Sequence, residues 1–251
     1  MSSEKIDIID EMHRIISAAE EQNILLRVVG GLAVRMHSAE PHRFFTREYS
    51  DVDFAVEKIE YNKLASFFNS VGYIPDKQFN LLNSARRQIY FNQETGNHID
   101  IFVGDFEMCH KLPLKDRLHH DPLTIPLAEL FLSKTQIVEL NRKDAYDVIN
   151  LLLNNEISSG DDRKINLQRI VELCINDWGL YKTNSINLER VENIIENEDI
   201  SLSDNERKLL LGRIHEIRHA LEEVEKPLAW KLRDRVGTRV RWYTEVEEVD
   251  R

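Results

Sequence analysis

Two cysteines in 251 residues, Cys109 and Cys174, are too few and too far apart for a disulfide framework or a structural zinc site. That scarcity fits a reducing compartment. No stretch approaches the roughly 18 uninterrupted apolar residues a membrane-spanning helix needs. The opening MSSEKIDIIDEMHRI mixes acids into an amphipathic pattern, where a secretory signal would have a basic start and a continuous apolar block. A cytoplasmic chain is the expectation. Positive charge is also in short supply: 33 Lys and Arg stand against 44 Asp and Glu, a net charge of −11. Broad, sequence-independent grip on nucleic acid relies on many cations displacing counterions from phosphate, so the composition argues against it and leaves room only for a local basic cleft. Nor is there an internal repeat, a low-complexity tract, a Ser-His-Asp signature, a Walker-type glycine loop or an H-E-x-x-H spacing among the nine histidines. Covalent catalysis has no support.

What is present is a mixture of helix and strand signals. Ile6, Ile9, Met12, Ile16 and Ala19 recur at steps of three and four, which predicts an amphipathic helix from Glu4 to about Gln22. ILLRVV reads as a short buried strand, closed by Gly30 and Gly31 before the helical LAVRMHS. DVDFAVE is a second strand, and YNKLASFFNSVG a helix ending in a glycine. RRQIYFNQ and NHIDIFVG flank the turn-like ETGN and predict an antiparallel hairpin. Leu127, Leu130, Phe131 and Val138 line one face of a further helix, which KDAYDVINLLL continues or restarts. Beyond NNEISSGDDRK, the best linker candidate, the pattern is helical and charged. The fold expected is α/β: a mixed sheet with flanking helices over residues 1–155, then a helical region over 160–251.

Side chains two apart on a strand project from one face, so Asp51 and Asp53 point the same way. Asp100, in HIDIF, lies on another strand with Ile99 and Ile101 turned to the opposite face. If these strands are neighbours, three carboxylates share one patch and require a cation; all-oxygen ligands suit Mg²⁺ or Mn²⁺. Mg²⁺ held by a few carboxylates completes its shell with water and phosphate oxygens, which points to a phosphorylated partner. Glycines at a helix start let backbone N–H groups approach phosphate, giving Gly30 and Gly31 a candidate role. Arg43 and Arg47 before the D-x-D strand, and Arg86 or Arg87 at the hairpin, are candidate phosphate clamps, with a solvated loop as the alternative. WKLRDRVGTRVRWY concentrates basic and aromatic residues near the C-terminus, suited either to packing on the core or to touching a nucleotide or RNA.

The order of these motifs resembles the nucleotidyltransferase superfamily related to DNA polymerase β: a glycine pair, then a D-x-D strand, then a third acidic strand. The matching residues are Gly30 and Gly31, Asp51 and Asp53, and Asp100. The resemblance implies that Asp51 and Asp53 bind two metal ions, that Asp100 helps hold the one activating the attacking hydroxyl, and that the glycines contact the triphosphate of an NTP. LSKTQIVELNRKDAYDVINLL is similar to the segment after the core in the AbiEii-like branch, where a helical lysine and a following aspartate accompany the acids. That implies a nucleotide-binding Lys134, oriented by Asp144 or Asp147. The resemblance covers roughly residues 24–153. The activity implied is transfer of a nucleoside monophosphate to an acceptor, whether tRNA, protein or an antibiotic-like small molecule, with release of pyrophosphate. By analogy alone, an antitoxin partner is conceivable. The alternatives are a catalytically silent nucleotide-binding regulatory or toxin–antitoxin module, and a phosphohydrolase or glycosyltransferase using D-x-D differently.

Overall fold

The computed structural model of the chain describes residues 7–39, 49, 51–198 and 200–246. They form two compact units, one of residues 7–36, 49, 51–107 and 113–126, the other of residues 37–39, 108–112, 127–198 and 200–246. No helix among the described residues is long and apolar enough to cross a membrane.

The first unit begins with α1 (Ile8–Glu21), whose N-terminus is capped by the Asp7 carboxylate accepting from the Ile9 N–H at 2.8 Å. Met12, Ile15, Ile16 and Ala19 form its buried stripe. There follow β1 (Leu26–Val29), α2 (Gly30–Met36), β2 (Asp51–Val56), a 3₁₀ turn (Lys58–Lys63), α3 (Leu64–Ser70), β3 (Ile74–Pro75), α4 (Lys77–Asn83), β4 (Arg87–Phe91), β5 (His98–Val103) and β6 (Asp105–Glu107). Five strands form one sheet in the order β1-β2-β5-β4-β3. β2 and β5 run parallel, while β1–β2, β4–β5 and β3–β4 are antiparallel, so the sheet is mixed as expected. The hairpin read from the ETGN turn is the β4–β5 pair.

Val52, Phe54, Ile99 and Ile101 are buried on one face of the central strands. Period-two alternation therefore sends Asp51, Asp53 and Asp100 to the other face. The outer edge of β1 is covered, since the Val28 N–H donates to the Leu123 carbonyl (2.9 Å) and the Val28 carbonyl accepts from the Ile125 N–H (3.1 Å). Arg27 is buried in this strand, against the apolar reading of ILLRVV. Its guanidinium donates to the carbonyls of Leu118 (2.8 Å), Asp121 (2.7 Å) and Leu26 (2.8 Å), which tie the covering segment down.

β7 (Lys111–Pro113) has Lys111 and Leu112 in the second unit and Pro113 in the first, and the second unit further contains α5 (Leu127–Thr135), α6 (Arg142–Asn154), β8 (Ile157–Ser158), β9 (Ile165–Asn166), α7 (Leu167–Asn176), α8 (Trp178–Asn197), α9 (Asp204–Glu223) and α10 (Leu228–Val236). Two differences from the sequence reading have local causes. α5 stops at Thr135, before Val138, because the Asn187 side-chain amide donates to the carbonyls of Thr135 (2.8 Å) and Ile137 (2.7 Å) in place of continuing helical N–H groups. A new helix then starts at the Asn141 cap, whose side chain accepts from the Asp144 N–H at 2.8 Å. The polar stretch expected to be a linker carries β8, which pairs in parallel with β9.

Candidate active site

The ladder between β2 and β5 sets the geometry. Asp51 lies opposite His98, and Asp53 directly opposite Asp100. Paired residues of a parallel ladder point to the same side, on strands about 4.8 Å apart. All three acids read from the sequence therefore share one face, and two of them are immediate neighbours.

Gly30 belongs to this arrangement through Asp53. Val29, its chain neighbour, pairs with Asp53 across the β1–β2 ladder. Gly30 has φ +71°, and a β-carbon there would run into Asp53 Oδ2. The glycine is required twice over: once by its left-handed backbone and once by the carboxylate resting on it. Gly31 follows as an ordinary residue of α2.

Asp100 is turned to a different partner. The Arg87 Nε donates to Asp100 Oδ1 (2.8 Å) and Oδ2 (3.1 Å), and the Arg87 Nη2 donates to Oδ2 as well. Asp100 is buried, and the Arg87 side chain is only 18% exposed. The guanidinium carbon sits 5.3 Å from the Phe102 ring centroid and 5.8 Å from that of Phe79, so two aromatic faces hold it in place. Burial alone would lower the Arg87 pKa. The hydrogen bonds and charge of Asp100, with Asp53 behind it, outweigh that and raise it above the ordinary arginine value. Arg87 was read from the sequence as a candidate phosphate clamp; here it is the partner of a site acid. In an antiparallel hairpin an arginine two residues before the one opposite an aspartate reaches it diagonally, and the β4–β5 register (Ile89 opposite Asp100, Arg87 opposite Phe102) is that case.

The chemistry of the donor set fits a hard divalent cation: Asp51, Asp53 and Asp100 are all-oxygen donors on one face. Their present arrangement is more open than a closed coordination shell. Among the described residues no three His, Cys, Asp or Glu side chains converge closely enough to enclose a metal ion.

In the second unit, Lys134 on α5 meets both aspartates the sequence offered. Its Nζ lies 3.2 Å from Asp144 Oδ1 and 2.8 Å from Asp147 Oδ2. The Lys134 side chain is 12% exposed and that of Asp147 only 1%, so the stem is buried as the helical stripe implied. Arg43 and Arg47 lie outside the described residues. Arg86 is exposed, 3.8 Å from Glu107 Oε2. The basic aromatic segment near the C-terminus packs on α8 through Trp230, edge-on to Tyr181 at 4.9 Å, and through Asp234, which accepts from the Trp178 indole at 2.8 Å.

No family model matches the sequence, and no curated protein matches it. Among solved structures the chain is similar to the lincosamide antibiotic adenylyltransferase LnuA in its lincomycin-bound form, at 16% identity over 57% of this chain and 94% of that one, with a TM-score of 0.40. It is similar to ANT(2")-Ia in complex with adenylyl-2"-tobramycin at 12% identity, over 72% of this chain and 97% of that one, with a TM-score of 0.41. An antigenic nucleotidyltransferase-like protein from Paracoccidioides brasiliensis is similar at 15% identity over 74% and 94% of the two chains, with a TM-score of 0.38.

Proposed function

We propose that the chain is a metal-dependent nucleotidyltransferase that moves a nucleoside monophosphate from an NTP to an acceptor, such as tRNA, a protein side chain or a small molecule, and releases pyrophosphate. The observation that carries this reading is the pairing of Asp53 with Asp100 on adjacent parallel strands, with Asp53 seated on a glycine of positive φ. Two carboxylates side by side on one face offer a hard divalent cation adjacent oxygen ligands. Asp51, Asp53 and Asp100 would hold Mg²⁺ or Mn²⁺, and a bound ion would supply charge stabilisation to a phosphoryl centre in transfer. The chain's own part is to fix the acids by ladder register, to keep the turn at Gly30 and Gly31 narrow enough for backbone N–H groups to approach phosphate, and to orient the reacting groups. Arg47 and Lys134 are proposed as further nucleotide contacts, with Asp144 and Asp147 supporting the lysine. An AbiEii-like relationship and an antitoxin partner are further proposals, resting on sequence resemblance alone.

One observation favours a second reading, a nucleotide-binding regulatory module without turnover: Asp100 is already satisfied by Arg87. Incubation with each labelled NTP, Mg²⁺ and total RNA and protein extract separates the two. Transfer of label with pyrophosphate release supports the enzyme and names its acceptor class. Calorimetric NTP binding with neither label transfer nor pyrophosphate release supports the module.

A further inference from the structure

We propose that Arg87 is a built-in counter-cation for the Asp53–Asp100 pair, which keeps Asp100 oriented without a divalent ion and competes with that ion for the Asp100 oxygens. The inference rests on the reading of Asp53 and Asp100 as metal ligands.

Asp53 and Asp100 are opposite each other in the ladder, and Asp100 is buried, so its charge is poorly screened by water. Two carboxylates so placed repel one another, and a neighbouring positive charge offsets that repulsion. Arg87 supplies it. The guanidinium engages both oxygens of Asp100, a planar fork that fixes the carboxylate's rotation. It is not a loose surface arginine, because Phe102 and Phe79 flank it and most of its side chain is buried.

The two acids are thus treated differently. Asp53 rests on Gly30, and Asp100 is clasped by Arg87. An ion approaching this face meets an Asp100 whose two oxygens already accept hydrogen bonds, and it shares or displaces them at a cost in affinity. Arg87 touches no reacting atom in this scheme and is a positioning residue. Its replacement has a signature that loss of a merely structural contact lacks: the neutral variant gains affinity for the metal while losing transfer activity. Glutamine at position 87 removes the competing charge, and lysine keeps a charge but loses the fork, so the lysine variant falls between.

The test is a titration of Mn²⁺ into the full chain, with free Mn²⁺ read by electron paramagnetic resonance, for wild type, Arg87→Gln, Arg87→Lys, Asp100→Asn and the Arg87→Gln/Asp100→Asn double variant. The expected result is Mn²⁺ binding about tenfold tighter in Arg87→Gln, the scale of one unit-charge interaction at a partly buried site. Arg87→Lys should gain a smaller factor, and the double variant should bind no better than Asp100→Asn. Circular dichroism establishes that each variant is folded. If Arg87→Gln does not fold, Arg87→Lys against wild type decides: tighter binding supports the proposal, and equal or weaker binding overturns it. Equal or weaker Mn²⁺ binding by folded Arg87→Gln overturns the counter-cation role while leaving the metal site standing. Absence of Mn²⁺ binding by wild type and every variant overturns both.

Discussion

Each unit of this chain contains a cation set among aspartates, and the two sets are built differently. In the helical unit, Lys134 is shared by Asp144 and Asp147, and Asp147 is almost fully buried. In the sheet unit, Arg87 donates to both oxygens of Asp100, while Asp51 and Asp53 share the face and keep partial contact with solvent. One cluster sets a lysine between two acids on one helix; the other sets an arginine on one of two acids that face each other across a ladder. The adjacent carboxylates of the strand face offer oxygen ligands to the proposed ion, whereas the buried lysine between two aspartates holds two carboxylates by charge.

The largest effect that can sharpen this contrast is at Lys134. Replacement by methionine takes the Lys134 cation away from buried Asp147, and the helical unit is expected to lose about 3 kcal/mol. Thermal or urea unfolding measures it, and adding Asp147→Asn to Lys134→Met should recover much of the loss. If Lys134→Met leaves stability intact, the lysine does not stabilise the helical unit through these two aspartates. Its effect on KM for NTP, measured on the fraction that folds, tests the proposed nucleotide contact separately.

A smaller effect is expected at Gly30. Alanine there meets both an unfavourable positive φ and the Asp53 carboxylate, which together cost about 2 kcal/mol. Because Asp53→Ala removes the clash and leaves the backbone strain, the double variant should be less destabilised than the sum of the two changes. Strict additivity in a double-mutant cycle would mean that the glycine and the aspartate do not depend on each other.

The smallest effect extends the contrast to a titratable group that serves the helical unit alone. His110 is buried, with its Nε2 2.8 Å from the Thr183 hydroxyl, which also accepts from the Trp242 indole at 3.0 Å. Burial lowers its pKa, and the charge of Asp177 pulls weakly the other way. The unfolded chain takes up this proton near the ordinary histidine value, about pH 6.5, whereas the folded chain resists it. Stability from this group is therefore complete above about pH 6.5 and is lost as pH falls toward the lower folded pKa. Unfolding measured from pH 7 to pH 5 should show stability falling in wild type and a flatter profile in His110→Gln. An identical profile in the variant would remove His110 from the account.

The contrast also marks what the sequence made legible. Alternation along DVDFAV and HIDIF was enough to place three acids on one face once the strands are adjacent, because a period of two is a property of every strand. Gly30 was legible as a turn, but its collision with Asp53 depends on the β1–β2 register, which no local pattern reveals. Arg87 was visible as a basic residue, yet its pairing with Asp100 follows from the diagonal placement in the hairpin and from Phe79 on α4. That helix went unread because Leu81 and Leu82 point outward, and DKQFNLLN offers no amphipathic stripe. In the helical unit the burial of Lys134 followed from its apolar neighbours. Its simultaneous contact with Asp144 and Asp147 needed the chain to break after Thr135 and restart at Asn141, a break made by the distant side chain of Asn187.

The most direct measurement is pyrophosphate release and label transfer from NTP with Mg²⁺, in the presence of the acceptor extract, by wild type and by Asp53→Ala at matched folded concentration. Metal-dependent release by wild type and a loss on the order of 10²-fold in the variant, about 3 kcal/mol of transition-state stabilisation, is the expected result. Undiminished release by Asp53→Ala would contradict the claim that the paired acids of the central strands carry the chemistry.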